Sequence, residues 1–247
     1  MDNLILYSMM GDDFVESYDP HCIFAHRVLS YKKIDYQNKV MYIPEEYKLL
    51  NESIIQFPLI SYNKTLYHDA EDLLKLFGEL TPGNSLITGT VEDDPLMFLL
   101  FQWGADSMGL MVQYLAMYVE ENWNRYVSDI KKSAKSTFAI SALKKEREYI
   151  VQHIKRSLLD RYDYQGVKDL MNKQLSLIET LLSQNTYISG SKINIADLLV
   201  FSQLHSLFHP YIPETNGLKS KYPKLINWAL EIDDLSSGSH TKKLNIN

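Results

Sequence analysis

The chain has 247 residues, 45% of them hydrophobic and 23% charged, which supports one large domain or two small ones and excludes intrinsic disorder. A formal net charge of −6 argues against a broad nucleic-acid surface, although a local basic patch such as Lys131, Lys132 and Lys135 survives within that balance. The single cysteine, Cys22, excludes an intrachain disulfide and a cysteine-rich zinc site and is consistent with a reducing compartment.

Met1-Asp2-Asn3 followed by Leu4-Ile5-Leu6 lacks the basic start and longer apolar run of a secretory signal, so a cytoplasmic location is expected. Leu4 to Tyr7 reads as a buried strand, and Cys22 to Lys33 carries Phe24, Val28 and Tyr31 at helical spacing. A second strand is predicted around Tyr36 to Met41. Phe57 to Tyr62, then Asn63-Lys64, then Thr65-Leu66-Tyr67 reads as two strands joined by a two-residue hairpin turn. Pro58 fits only at a strand entrance, because proline has no amide to give a sheet. Asp69 to Phe77 returns to helical spacing through Leu73, Leu74 and Phe77. The order β-α-β followed by β-β-α points to a mixed sheet flanked by helices.

A first domain is therefore expected over residues 1–80, a linker rich in breakers over 81–94, and an all-helical domain over 95–235. The richest apolar stretch, Leu96 to Val119, is interrupted by Gln102, Asp106 and Gln113, so it reads as a buried helix and no membrane span is expected. Within it Met108, Met111, Tyr114 and Tyr118 recur at three- and four-residue steps, the spacing of a core face. Ile193-Asn194-Ile195-Ala196-Asp197-Leu198 reads as a capping box inside a hydrophobic staple and starts a helix at Asn194. His205 and His209 can share a helix face, but no acidic third ligand has metal-site spacing with them, and no metal is expected. Residues 236–247, rich in Ser and Lys, read as a flexible tail.

Cys22-Ile23-Phe24-Ala25-His26-Arg27-Val28 resembles the active-site turn of cysteine-type glutathione transferases and glutaredoxins, Cys-Pro-aromatic-small-any-Arg/Lys-Val/Ala, with Ile23 replacing the proline and Asp19-Pro20 standing just upstream. Phe57-Pro58 resembles the family's Val-Pro, Gln56 falls where Lys or Gln often stands, and Asp69-Ala70 matches the acidic-Ser pair without its hydroxyl. Trp103, Ala105 and Asp106, interrupted by Gly104, resemble a Trp-Ala-Asp run of bacterial members. The run from Ser189 to Leu198 resembles the capping box late in nearly all members.

The resemblance implies a thioredoxin-like, glutathione-binding first domain with a cis-proline at Pro58, an all-α second domain, and a homodimer. It implies glutathione as co-substrate, held by Gln56, Phe57, Pro58, Asp69 and Ala70, and an apolar or disulfide second substrate in a cleft walled by Met108, Met111 and Tyr114. Cys22 is then the catalytic candidate, at a helix N-terminus that lowers a thiol pKa, with His26 one turn on and Ala25 limiting the chemistry to a single thiol. Tyr7 is the rival, because tyrosine-type members place a hydroxyl at the end of the first strand. A small buried hydrophobe is the alternative for Cys22, and a half-buried strand residue for Tyr7. The competing function is a non-catalytic binding or regulatory protein resembling stringent starvation protein A, a regulator that associates with RNA polymerase.

Overall fold

The computed structural model describes residues 4–41, 57–68, 70–80, 86–87, 91, 93–133 and 137–246. Strand β1 (Ile5–Met9) runs parallel to β2 (Gln37–Met41) and antiparallel to β3 (Leu59–Tyr62), which pairs with β4 (Thr65–Tyr67), giving the order β2-β1-β3-β4. The central strand β1 is almost wholly buried, whereas β2, on the edge, shows Lys39 and Val40 to solvent. A lysine there discourages pairing with another chain. Asn63 and Lys64 take φ values of 49° and 66°, the doubly positive geometry of a tight hairpin turn. The Phe57–Pro58 peptide is cis, as the resemblance implies.

Helix α1 (Pro20–Tyr31) connects β1 to β2, and α2 (Ala70–Leu80) follows β4. Asp19 caps α1 by accepting the Cys22 amide at 2.9 Å, with Pro20 at the first helical position, where its missing amide costs nothing. The helical region then begins with α3 (Pro95–Trp103), capped by Asp94, and continues through a π-helical turn π1 (Gly104–Met108), α4 (Gly109–Gln113) and a second one, π2 (Tyr114–Tyr118). There follow α5 (Glu120–Ser133), α6 (Thr137–Arg156), α7 (Tyr164–Gln184), α8 (Ile195–Leu207), α9 (Leu218–Lys221) and α10 (Pro223–Leu235). The fold is a thioredoxin-like domain followed by an all-helical one. No helix among the described residues is long and apolar enough to cross a membrane.

Helix α8 is buried along its whole length, packing against α1, α3, π1, α4 and α10. Its start is over-determined. Asn194 accepts the Ala196 amide at 3.0 Å, and Asp197 accepts the Asn194 amide at 2.9 Å, the Ile188 amide at 3.0 Å and the Trp228 indole at 3.1 Å. Gly104 allows π1 to lie against α8, since a Cβ at that position would be 3.1 Å from the Val200 Cγ2.

Arg27 of α1 is fully buried, with its guanidinium fixed by four elements. Nε donates to Glu16 at 2.6 Å, Nη1 to Asp233 of α10 at 2.7 Å, and Nη2 to His205 of α8 at 3.2 Å and to the Lys242 carbonyl, while the Phe201 ring lies 4.9 Å away. The segment expected to be a flexible tail is therefore packed. Lys242 also gives its amide to Glu16 at 3.2 Å, Leu244 is buried in the core, and His240 lies 4.9 Å from the Tyr36 ring. Backbone atoms make the anchoring bonds, which is why a composition of Ser and Lys did not show them.

Removing a buried cation leaves its carboxylates uncompensated. Arg27→Ala is expected to destabilise the chain by about 3–5 kcal/mol, read as a lowered denaturant midpoint. Arg27→Lys should recover only part of that, since an ammonium lacks the planar fork needed for all four partners.

Candidate functional site

The N-terminus of α1 opens on a cleft between the two domains, lined on one side by Met9, Tyr18, Asp19 and Pro20 and on the other by Val112, Gln113, Ala116, Met117, Ile150, Ser206 and Tyr211. Its volume is about 30 Å3, room for one water, whereas pockets that hold small molecules run from about 300 Å3 upward. Closure of the domains, with Tyr18 and Tyr211 filling the interior, leaves a slot rather than a pocket.

Cys22 is not at the mouth of this cleft. It is fully buried at the third helical position, and its Sγ accepts the Met9 amide at 3.4 Å, so the sulfur is spent on the contact between α1 and β1. Burial pushes its pKa well above the usual thiol value, and the neighbouring Asp19 charge pushes it further. This corrects the expectation of an accessible, acidified thiol. The cause lies in the sequence around Pro20. A Cys-Pro pair at a helix start puts proline at the first helical position and cysteine at the cap. Here Asp19-Pro20 holds those two positions, and the cysteine comes three residues later, inside the first turn. The residue that caps α1 and faces the cleft is Asp19.

The other candidates scatter. Tyr7 is buried against Leu59, with Lys39 Nζ 5.4 Å from its ring, on the face of β1 opposite Leu6 and the core that holds Cys22. Phe57 is half-buried and touches the packing on both faces, and Pro58 is buried at the entrance to β3. Gln56 and Asp69 lie outside the described residues, and Ala70 is the first residue of α2. Met108, Met111 and Tyr114 are all buried in the core and do not line the cleft. The wall is made instead by Val112, Gln113, Ala116 and Met117.

Residues 150–232 match the family model for the glutathione S-transferase C-terminal domain. Solved structures match over nearly the whole chain. A glutathione S-transferase from Rhodospirillum rubrum superposes with a TM-score of 0.65 at 15% identity, covering 96% of this chain and 89% of that one. FzlA from C. crescentus superposes at 0.64 and 14% identity, covering 94% and 88%. A glutathione transferase homolog from Drosophila mojavensis, with bound glutathione, superposes at 0.57 and 16% identity, covering 96% and 92%. The chain has the glutathione transferase fold, and the family match is confined to residues 150–232. No curated protein matches the sequence.

On this glutathione transferase fold the loop from Met10 to Asp19, which forms one wall of the cleft, is held from the helical domain by two histidines. His209 Nε2 lies 2.7 Å from Asp12, and the Tyr211 amide donates to its Nδ1 at 3.3 Å. His205 Nδ1 accepts from Arg27, so its Nε2 carries the hydrogen donated to the Phe14 carbonyl at 3.1 Å. Both are committed to loop contacts rather than presented to a metal. Asp12 accepts the Phe14 and Val15 amides and the Tyr18 hydroxyl. Burial alone would raise its pKa, but His209 and the two amides outweigh that and hold it below the usual carboxylate range. The sequence pairs His205 with His209 by spacing but does not show their partners, which lie almost two hundred positions away. Within α1, His26 is buried with Nδ1 2.8 Å from the Tyr36 hydroxyl.

Two outcomes follow from these environments. Native Cys22 should resist iodoacetamide at neutral and mildly alkaline pH and react fully once the chain is unfolded in urea, as mass spectrometry of the alkylated protein would show. The second concerns acid. Burial pushes His26 down to about 4 and His205 down to about 3, the latter helped by the Arg27 charge, from a usual 6.5. The unfolded chain therefore takes up protons that the folded chain refuses, so this stability is complete above pH 6.5 and is lost as pH falls toward 4. Asp197, pushed up by burial to about 6 from 3.8, acts with the opposite sign between those values. Two histidines outweigh one carboxyl. At about 1.4 kcal/mol per pKa unit the net loss amounts to a few kcal/mol, and the urea midpoint should fall between pH 7 and pH 4.5.

Proposed function

We propose that the chain is a non-catalytic glutathione transferase-fold binding protein and that Cys22 performs no thiol transfer. The observation that carries this is the Asp19 carboxylate at the cap of α1. The amides of a helix N-terminus stabilise a thiolate only if they are free to point at it. Here the Cys22 amide is given to Asp19, which adds a negative charge where a thiolate would need positive surroundings. The narrow cleft supports the same reading, because a second substrate has no room beside Tyr18 and Met117 until the domains part.

Glutathione is the ligand to test first, since the Drosophila mojavensis homolog of the same fold has it bound. Pairing of two copies is part of the proposal, and Leu96 and Leu99 of α3, three residues apart on one face and both exposed, support it as adjacent apolar surface. Calorimetric titration with glutathione, run beside a thiol-transfer assay on the wild type and on Cys22→Ala, separates the alternatives. The expected result is identical, background-level transfer by both proteins whatever the heat of glutathione binding. Transfer above background that disappears in Cys22→Ala would overturn the proposal. Light scattering should give twice the 28.7 kDa of one chain, and Leu99→Glu should shift it toward the single-chain mass.

A further inference from the structure

Charge is unevenly distributed along the sequence. From Glu120 to Arg161 there are ten Lys and Arg against six Asp and Glu, a net of +4, in a chain whose total is −6, so the remainder carries −10. This segment spans α5 and α6. On its surface lies a groove of about 330 Å3, walled by Tyr118 of π2 and by Arg147, Glu148, Val151, Gln152 and Lys155 of α6. It is more than ten times the volume of the interdomain cleft and reaches the size of ordinary binding pockets.

The groove has rigid and adaptable parts. Arg147 is locked: Nε donates to the Met117 carbonyl at 2.8 Å, Nη2 to Glu120 at 2.5 Å, and the guanidinium lies 4.9 Å from the Trp123 ring centre. Those bonds use two of its five N–H donors, leaving three for a ligand. Tyr118 is also held, stacked on Tyr114 with ring centres 4.8 Å apart. Lys144, Arg147, Val151 and Lys155 follow at steps of three, four and four residues, which places them in one stripe along α6. That stripe is about 16 Å long at 1.5 Å per residue. Lys144 and Lys155 are exposed, and Val151 supplies apolar surface between the cations. Glu148 and Glu120 reduce the positive field without cancelling it.

We propose that this groove docks an acidic segment of a partner protein, with carboxylates on Lys144, Arg147 and Lys155 and one apolar or aromatic side chain against Val151 and Tyr118. Charge complementarity favours an acidic partner, and the short stripe favours a segment over a long polyanion. A polynucleotide longer than the stripe would extend beyond α6 toward surface of the −10 remainder, within reach of its repulsion at physiological salt. The proposal goes beyond the interdomain cleft and is independent of glutathione binding.

The test uses the full chain and a fluorescein-labelled peptide of glutamates with one central phenylalanine, beside the same peptide with lysines in place of glutamates. Fluorescence anisotropy should show saturable binding of the acidic peptide, weakening as salt rises, and none of the lysine peptide. Lys144→Glu with Lys155→Glu should lower the affinity at least about tenfold, with the circular dichroism spectrum and thermal midpoint unchanged. Val151→Ser should weaken binding while keeping its salt dependence. Absence of saturation, or affinity untouched by the double variant, would overturn the proposal. So would tighter binding of a single-stranded oligonucleotide through the same lysines, or a change in oligomeric mass caused by the double variant, which would make this face a contact between copies.

Discussion

A cation buried without water must have its charge and its donors satisfied where it stands, and Arg27 meets that requirement by collecting partners from across the chain. Glu16 comes from the loop after β1, His205 from α8, Asp233 from α10 and the Lys242 carbonyl from the C-terminal segment. Lys243 adds a second cation 3.5 Å from Asp233, so the two carboxylates around Arg27 do not leave excess negative charge. Each partner can sit in place only if its own element is docked. The thioredoxin-like and helical domains therefore share one charge centre and cannot be treated as independent units.

That centre organises the cleft. The loop from Met10 to Asp19 is tied by Glu16 to Arg27, by the Phe14 carbonyl to His205, and by Asp12 to His209. Its two neighbouring aromatic contacts, Tyr18 on Tyr126 and Tyr126 on Tyr211, continue the packing under the cleft floor. An opening movement large enough to admit a peptide would have to break buried polar contacts and not merely separate apolar surfaces, and unpaired buried groups are costly.

Local chemistry was legible in the sequence where it is written in adjacent residues. Asn63-Lys64 between two apolar runs gave the hairpin, and Asn194 with Asp197 gave the start of α8, because turns and caps are closed by residues a few positions apart. What was hidden depends on long-range partners or on a small offset. Arg27 read as one letter of an active-site pattern, whereas its role is set by residues as distant as Lys242. The spacing of Met108, Met111 and Tyr114 marked a core face, where the structure buries them, whereas the cleft wall that the resemblance implied for them is made by Val112, Gln113, Ala116 and Met117. Cys22 matched the pattern of a reactive turn, but the cap and proline that define such a turn sit three residues earlier.

Asp19 has a consequence for how this scaffold relates to thiol chemistry. The geometry for a helix-end nucleophile is intact: a proline fixes the first turn, the cap residue borders the cleft, and an amide points at its side chain. The occupant is a carboxylate instead of a thiol. The side chain at this helix end is thus a structural counter-charge to the helix dipole and offers no sulfur nucleophile. Reactivity and stability compete here for a single position, and in this chain the position has been given to stability.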